Sequence, residues 1–243
     1  MHLIRTILHS IRSRVSTWGM AEFGILIILA IASGALYGFA VLADEVLEGE
    51  THAFDEAVLM ALRKPGDVDN PIGPLWVEAM FVDITSLGGH TTLTIMTLAV
   101  VGYLLIDRRS AAALLVTVSV VGGALISHFA RLGFNRPRPE LVGQLVYVHT
   151  LSFPSGHAML SAVTYLTLGA LLTRTTDRPA VHGYFLAIAI LLTLLIGVSR
   201  VYLGVHYPTD VLAGWALGSA WAMTCWIVAL WLQRRGKVEQ QGA

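Results

Sequence analysis

A histidine and an aspartate towards the C-terminal end of this chain are the residues best suited to chemistry. His206 and Asp210 are four residues apart, so one helical turn would place them side by side, and Pro208 lies where that helix should begin. A carboxylate that holds one imidazole nitrogen fixes the tautomer and leaves the other nitrogen free to attack. The pair therefore has the composition of an activated nucleophile.

A second histidine follows a short segment that is suited to binding an anion. Pro154, Ser155 and Gly156 directly precede His157. Proline suits the first turn of a helix, and the glycine leaves the backbone bare. Free N–H groups at the start of a helix bind phosphate readily, so Ser155 and Gly156 are candidate phosphate-binding residues.

Three arginines accompany these groups in the sequence: Arg131, Arg138 and Arg200. Guanidinium groups gathered near one point would repel each other unless an anion lay between them. They match phosphate oxygens in a bidentate geometry. All three are therefore candidate phosphate ligands.

The composition places these residues in a membrane protein. Of the 243 residues, 55% are hydrophobic and 13% are charged, whereas soluble domains carry about 25% charged residues. The formal net charge is zero, which gives no indication of a nucleic-acid partner. Cys225 is the only cysteine, so the chain has no internal disulfide.

Six apolar stretches have about the length needed to cross a bilayer. They contain no Lys, Arg, Asp or Glu, and backbone in lipid must close its own hydrogen bonds, so we expect helices. The fold class predicted is all-α, a six-transmembrane-helix bundle that forms a single membrane domain over residues 1–243. The predicted spans are 23–43, 84–106, 110–130, 154–173, 181–199 and 211–232.

The segment between the first two spans has a structure of its own. Residues 54–62 have a helix-like apolar face, and residues 75–81 form a second amphipathic stretch. We predict two short helices at the membrane interface, with a solvated loop as the alternative for the first. This segment, 44–83, also holds ten of the sixteen acidic residues.

Basic residues in the short loops indicate the orientation, because such residues are enriched on the cytoplasmic side. Alternation of the spans puts ten of the sixteen basic residues on one side. We therefore expect a multi-pass protein of the plasma (inner) membrane with both termini in the cytoplasm. The ten residues are Arg5, Arg12, Arg14, Arg108, Arg109, Arg174, Arg178, Arg234, Arg235 and Lys237.

The same alternation brings the candidate chemical groups to one face of the membrane. They lie at the outer ends of the third and fifth spans and at the outer starts of the fourth and sixth. Ionisable groups near membrane depth are costly and usually functional. This convergence predicts an active site that faces the exterior or periplasm.

Three motifs follow one another in the sequence: Arg131-x6-Arg138-Pro139, Pro154-Ser155-Gly156-His157 and Ser199-Arg200-x5-His206-x3-Asp210. In this order they resemble the signature of the type 2 phosphatidic acid phosphatase family, which shares its site with vanadium haloperoxidases. The second and third motifs match completely, whereas Arg131 stands where the family usually has lysine. The motifs cover about 80 residues, and the six-span layout extends the resemblance to most of the chain.

The resemblance implies a lipid phosphatase that works through a phosphohistidine. His206 would attack phosphorus, Asp210 would orient His206, and His157 would protonate the departing lipid oxygen. The phosphoryl group would be held by Arg131, Arg138, Ser155, Gly156 and Arg200. No metal or cofactor is implied, because the arginines supply the positive charge.

The sequence leaves several interpretations of substrate and function open. The substrate could be phosphatidic acid, phosphatidylglycerol phosphate, undecaprenyl diphosphate or a lipid A phosphate. A lipid phosphotransferase would use the same site, a haloperoxidase would hold vanadate there, and a non-catalytic lipid-binding protein would not need the two histidines. Arg136 lies between the motif arginines and is equally compatible with contact to lipid headgroups and with exposure to water. The sequence carries no indication of an oligomeric state.

Overall fold

The computed structural model describes the backbone of residues 2–146, 148 and 150–234, and the side chains of 23–146, 148 and 150–233. Arg235 and Lys237, which we assigned to the cytoplasmic side, lie outside the described residues. In chain order the elements are α1 (His2–Glu48), α2 (His52–Ala61), β1 (Arg63–Lys64), β2 (Asp67–Pro71), α3 (Leu75–Ser86), α4 (His90–Ile106), α5 (Ser110–Phe134), α6 (Gly156–Thr173), α7 (Pro179–Tyr202) and α8 (Pro208–Arg234).

The all-α membrane bundle is confirmed. Within the described residues, five helices are long and apolar enough to cross a membrane on their own, and α3 with α4 supplies a sixth span. The first span is longer than the stretch 23–43, because its apolar helix continues from Phe23 to Glu48.

The second span is broken, whereas its hydropathy predicted one continuous helix over 84–106. The helices α3 and α4 meet at an angle of 45° across residues 87–89. Gly88 and Gly89 lower the helix propensity there, and the Tyr165 hydroxyl donates a hydrogen bond of 2.9 Å to the Leu87 carbonyl. The predicted short helix 75–81 is the first part of α3, so it belongs to this bent span.

The helix α6 lies in the middle of the bundle and packs against α4, α5, α7 and α8. Glycines on α8 allow a close approach: an added Cβ would stand 2.7 Å from the Ser155 carbonyl oxygen at Gly214 and 2.5 Å from that of Met159 at Gly218. Small residues permit such contacts between helices in lipid. The start of α6 is therefore held directly against the start of α8.

The segment after α1 packs onto the bundle. The helix α2 buries Asp55 and Leu59, and Leu59 belongs to the same buried apolar cluster as Val201 and Val211. A two-stranded antiparallel hairpin, β1 with β2, follows α2. The sequence analysis did not predict this hairpin, because its strands are too short and polar to show an apolar alternation.

Candidate active site

His206 and Asp210 are in contact, although His206 lies in the turn before α8 and not on its first helical turn. His206 is 1% exposed. Its Nδ1 atom is 3.3 Å from Asp210 Oδ2. The same oxygen accepts a hydrogen bond of 2.8 Å from the Tyr207 N–H, which joins the carboxylate to the start of the helix as in a capping box. Proline at position 208 suits the first turn.

The other imidazole nitrogen of His206 faces an arginine. Arg138 Nη1 is 3.1 Å from His206 Nε2. Because the Asp210 carboxylate accepts the proton carried on Nδ1, Nε2 is assigned the lone pair and accepts from Arg138 Nη1. Arg138 is itself held by the carbonyl oxygens of Val205 at 2.5 Å and Thr150 at 2.6 Å.

The pKa values of His206 and Arg138 indicate a neutral imidazole beside a charged guanidinium. Burial lowers the pKa of His206 to about 4; Asp210 raises it in part, and the charges of Arg138 and Arg200 lower it further. Burial also lowers the pKa of Arg138 to about 10, which leaves the guanidinium charged at neutral pH. His206 is therefore a neutral imidazole at neutral pH, with a proton on one ring nitrogen only.

Arg131 lies beside the N-terminus of α6. Its Nε donates to the Ser127 carbonyl at 3.1 Å, and its Nη1 donates to the Thr150 hydroxyl at 3.3 Å. A Cβ added at Gly156 would stand 3.4 Å from Arg131 Nη1. The absence of a side chain at Gly156 thus keeps the backbone of α6 close to this guanidinium.

Arg200 presents two donors with no acceptor. Its Nη1 donates to the Thr85 hydroxyl at 2.8 Å. Its Nε and Nη2 atoms are buried and find no hydrogen-bond partner in the described part of the chain. An unpaired buried donor is costly, and the two free donors have the fork geometry that binds an oxyanion.

The start of α6 carries the remaining predicted residues. Ser155 is the N-cap, and its hydroxyl accepts from the Ala158 N–H at 3.5 Å, while its own N–H donates to the Asp210 carbonyl at 2.9 Å. His157 follows, with its ring 6.1 Å from that of His90. The charges of Arg200, His206 and Arg138 act on His157. The structure thus brings the predicted site residues to one end of the bundle.

Arg136 is not at a lipid headgroup or in water, which were the two sequence interpretations. It is 7% exposed, and its guanidinium lies between two buried carboxylates, with Nη1 2.7 Å from Asp210 Oδ1 and Nη2 2.8 Å from Asp55 Oδ2. The sequence analysis missed Asp55 as well. The sequence could have identified Asp55, because this residue shares the apolar helical face of Val58 and Leu59, where a carboxylate is unexpected.

Two hydroxyl-bearing residues near the site were also missed. The Ser152 hydroxyl donates to Asp210 Oδ2. Thr85, on α3, holds Arg200. A single hydroxyl in an apolar or irregular segment has no distinguishing pattern, so neither was recognisable from the sequence. Among the described residues, no three His, Cys, Asp or Glu side chains are grouped as metal ligands would be.

Comparison with known proteins agrees with this architecture. Residues 112–234 match the model of the PAP2 superfamily. Phosphatidylglycerophosphatase B of Bacillus subtilis is 29% identical over 184 residues, which cover 74% of this chain and 85% of that protein. The undecaprenyl-diphosphatase of Sulfolobus acidocaldarius is 43% identical over 68 residues, covering 28% of this chain and 29% of that one.

A solved structure extends the similarity to most of the fold. The crystal structure of a transmembrane PAP2 type phosphatidylglycerolphosphate phosphatase from Bacillus subtilis superposes with a TM-score of 0.72 and 26% identity. The match covers 87% of this chain and 98% of that one. With the family model spanning half of the sequence, the chain belongs to the PAP2 superfamily and is one of its membrane-spanning phosphatases.

Proposed function

We propose that this protein hydrolyses a lipid phosphate monoester or diphosphate through a phosphohistidine formed on Nε2 of His206. The observation that carries the proposal is a buried imidazole nitrogen that faces Arg138 at 3.1 Å, together with two unpartnered donors of Arg200, whose charge acts on the same imidazole. A nucleophile and a set of anion-binding donors at one place are what phosphoryl transfer requires.

In the first step, the lone pair of His206 Nε2 attacks phosphorus, and the bond from phosphorus to the lipid oxygen breaks. His157 gives its proton to that oxygen, so the lipid alcohol, or the lipid monophosphate from a diphosphate, leaves with the departing oxygen protonated. General acid catalysis of this kind contributes about 10²–10⁴-fold. Asp210 stabilises the positive charge that the phosphorylated imidazole acquires.

In the second step, water attacks the phosphohistidine. His157, now without its proton, takes one from the water, and the bond from phosphorus to Nε2 breaks. Inorganic phosphate is released, and both histidines return to their starting states. The three arginines Arg131, Arg138 and Arg200 stabilise the oxyanions in both steps, which is usually the largest contribution to catalysis. Ser155 and the Gly156 N–H add hydrogen bonds to the same oxygens.

The lipid nature of the substrate is supported by the relatives. They include a phosphatidylglycerophosphatase and an undecaprenyl-diphosphatase. We extend this substrate class to the present chain, with phosphatidic acid as a third member, because all three present a phosphate at the membrane surface. We further propose that the site faces the exterior or periplasm, with both termini in the cytoplasm.

The test is phosphate release by the purified protein across these lipids, with His206→Ala as the inactive variant. Short incubations with a ³²P-labelled substrate should yield an acid-labile phosphoenzyme in the wild type only, and turnover should continue in EDTA. The control is His182→Ala, because His182 lies at the opposite end of α7 and contacts Thr176. Wild-type turnover by His206→Ala would reject the mechanism.

The same assay separates hydrolysis from transfer. Release of inorganic phosphate without an added acceptor supports the phosphatase. Release that depends on a lipid alcohol, with phosphate recovered on that alcohol, would indicate a phosphotransferase that uses the same phosphohistidine.

A further inference from the structure

A buried ion-pair network lies behind the nucleophile, on the side away from Arg138. Arg136 bridges Asp210 and Asp55 at 2.7 and 2.8 Å, and both carboxylates are fully buried. The other oxygen of Asp210 contacts His206. Arg136 and Asp55 thus connect to the imidazole through one shared carboxylate.

Asp55 also holds the helix that carries Asp210. Its two oxygens accept from the backbone N–H of Thr209 at 3.1 Å and from the Thr209 hydroxyl at 2.6 Å. Thr209 lies in the first turn of α8, directly before Asp210. An anion at the N-terminus of a helix is stabilised by the free N–H groups and the helix dipole. The distant helix α2 therefore helps to fix the position of the catalytic carboxylate.

The charges in this network are unequal. One guanidinium is shared by two carboxylates, so it compensates only part of the charge on Asp210. The remainder is available to an imidazole that becomes positive when it is phosphorylated. If Asp55 lost its charge, Arg136 would compensate Asp210 alone, and the support for a positive His206 would fall.

We infer that Asp55 and Arg136 are positioning residues that set the basicity of His206 through Asp210. This inference rests on the proposed role of His206 as nucleophile. Four other charged or titratable groups face His206 and are left unchanged by the test: Asp210 on α8, Arg138 in the loop after α5, Arg200 on α7 and His157 on α6.

The experiment follows the ring of His206 by NMR in detergent, with histidine-labelled protein and His206→Ala to assign the signal. In Asp55→Asn/Arg136→Gln, the Asp210 charge is no longer compensated by Arg136. The pKa of His206 should therefore rise by roughly one unit. In Asp55→Asn alone, Arg136 compensates Asp210 fully, so the His206 ring should stay neutral at every pH of the titration. The kcat of this variant should fall about tenfold while KM stays within about twofold, as for other residues that orient a catalytic group.

Two control variants make the same charge changes without touching Asp210. Arg63 is buried and bonds the carbonyls of Leu62, Tyr202 and Gly143, and Asp67 bonds Asn70 on the hairpin. Arg63→Gln and Asp67→Asn should leave the His206 titration and the kcat-to-KM pattern as in the wild type. If Asp55→Asn does not fold, the double variant carries the test, because it leaves no buried guanidinium without its partner.

The results distinguish the two proposals. An unchanged His206 titration in the double variant overturns the positioning role, as does wild-type kcat in a folded Asp55→Asn. Activity in His206→Ala would instead overturn the proposed function. An inactive His206→Ala together with an unchanged double variant leaves the proposed mechanism standing and removes Asp55 and Arg136 from it.

Discussion

At the scale of single residues, burial decides the state of the proposed nucleophile. His206 is enclosed and surrounded by two guanidinium groups, so its ordinary pKa of 6.5 is lowered to about 4 despite the hydrogen bond to Asp210. A neutral imidazole at this position can attack phosphorus throughout the neutral range. The same lowered pKa makes the folded state less stable in acid.

The pH dependence of stability follows from this shift. Between pH 6.5 and pH 4, His206 binds a proton in the unfolded chain but not in the folded one, so stability is lost as the pH falls through this window. Through this effect, His206 should lower the free energy of unfolding by about 2 kcal/mol between pH 7 and pH 5. The thermal midpoint in detergent should drop less for His206→Gln than for the wild type over this interval. Equal drops for the two proteins would contradict a lowered pKa.

The residues themselves were predictable to different degrees. His157, His206 and the three arginines stand out because charged or titratable groups at span ends have few structural reasons to be there. Arg136 did not stand out, since its partner Asp55 is 81 residues away in the sequence. Contacts between a loop and a distant short helix depend on tertiary packing, which hydropathy and spacing do not encode.

At the scale of elements, the break in the second span brings backbone close to the site. A Cβ on Gly88 would stand 2.4 Å from Ile196 Cγ2 and 3.5 Å from His157 Cδ2. The sequence predicted the helices from their apolar runs, but it did not predict the break. The two glycines lie within an apolar run, and hydropathy does not register a bend in it.

Gly88→Ala should therefore displace Ile196, because the added Cβ would overlap Ile196 Cγ2, whereas it would lie at ordinary contact distance from His157. Overpacking of this kind costs about 1–3 kcal/mol, and both activity and the thermal midpoint should fall. Ile196→Ala in the same chain should restore part of the loss, because it removes Cγ2.

The matched control is Gly102→Ala on α4, where an added Cβ meets nothing within 4 Å. Alanine is favoured over glycine in a helix by about 1 kcal/mol, so this variant should be at least as stable as the wild type. Equal activities and equal thermal midpoints of Gly88→Ala and Gly102→Ala would show that the close contact at Gly88 has no consequence.

At the scale of the whole molecule, the polar ends of the bundle differ. The end with the candidate site carries α2 and the hairpin, whereas the opposite end has short loops with Arg108, Arg109, Arg174 and Arg178. The excess of basic residues in short loops supports a cytoplasmic position for the second end.

Single cysteines test this orientation in a Cys225→Ser background. Lys64 on the hairpin and Asp107 between α4 and α5 are both exposed. In right-side-out vesicles, Lys64→Cys should react with a membrane-impermeant maleimide, and Asp107→Cys should react only after permeabilisation. The reverse labelling pattern would place the candidate site in the cytoplasm.

The central helix α6 has a consequence for biosynthesis. Among the five candidate spans of the described chain that are single helices, it is the most enclosed and the least apolar. Its small and hydroxyl-bearing side chains gain little from lipid, so its partition from the translocon into the bilayer depends on contact with neighbouring helices. We therefore expect the helix that carries His157 to enter the lipid only after α7 and α8 emerge from the ribosome, so that the candidate site assembles at the end of insertion.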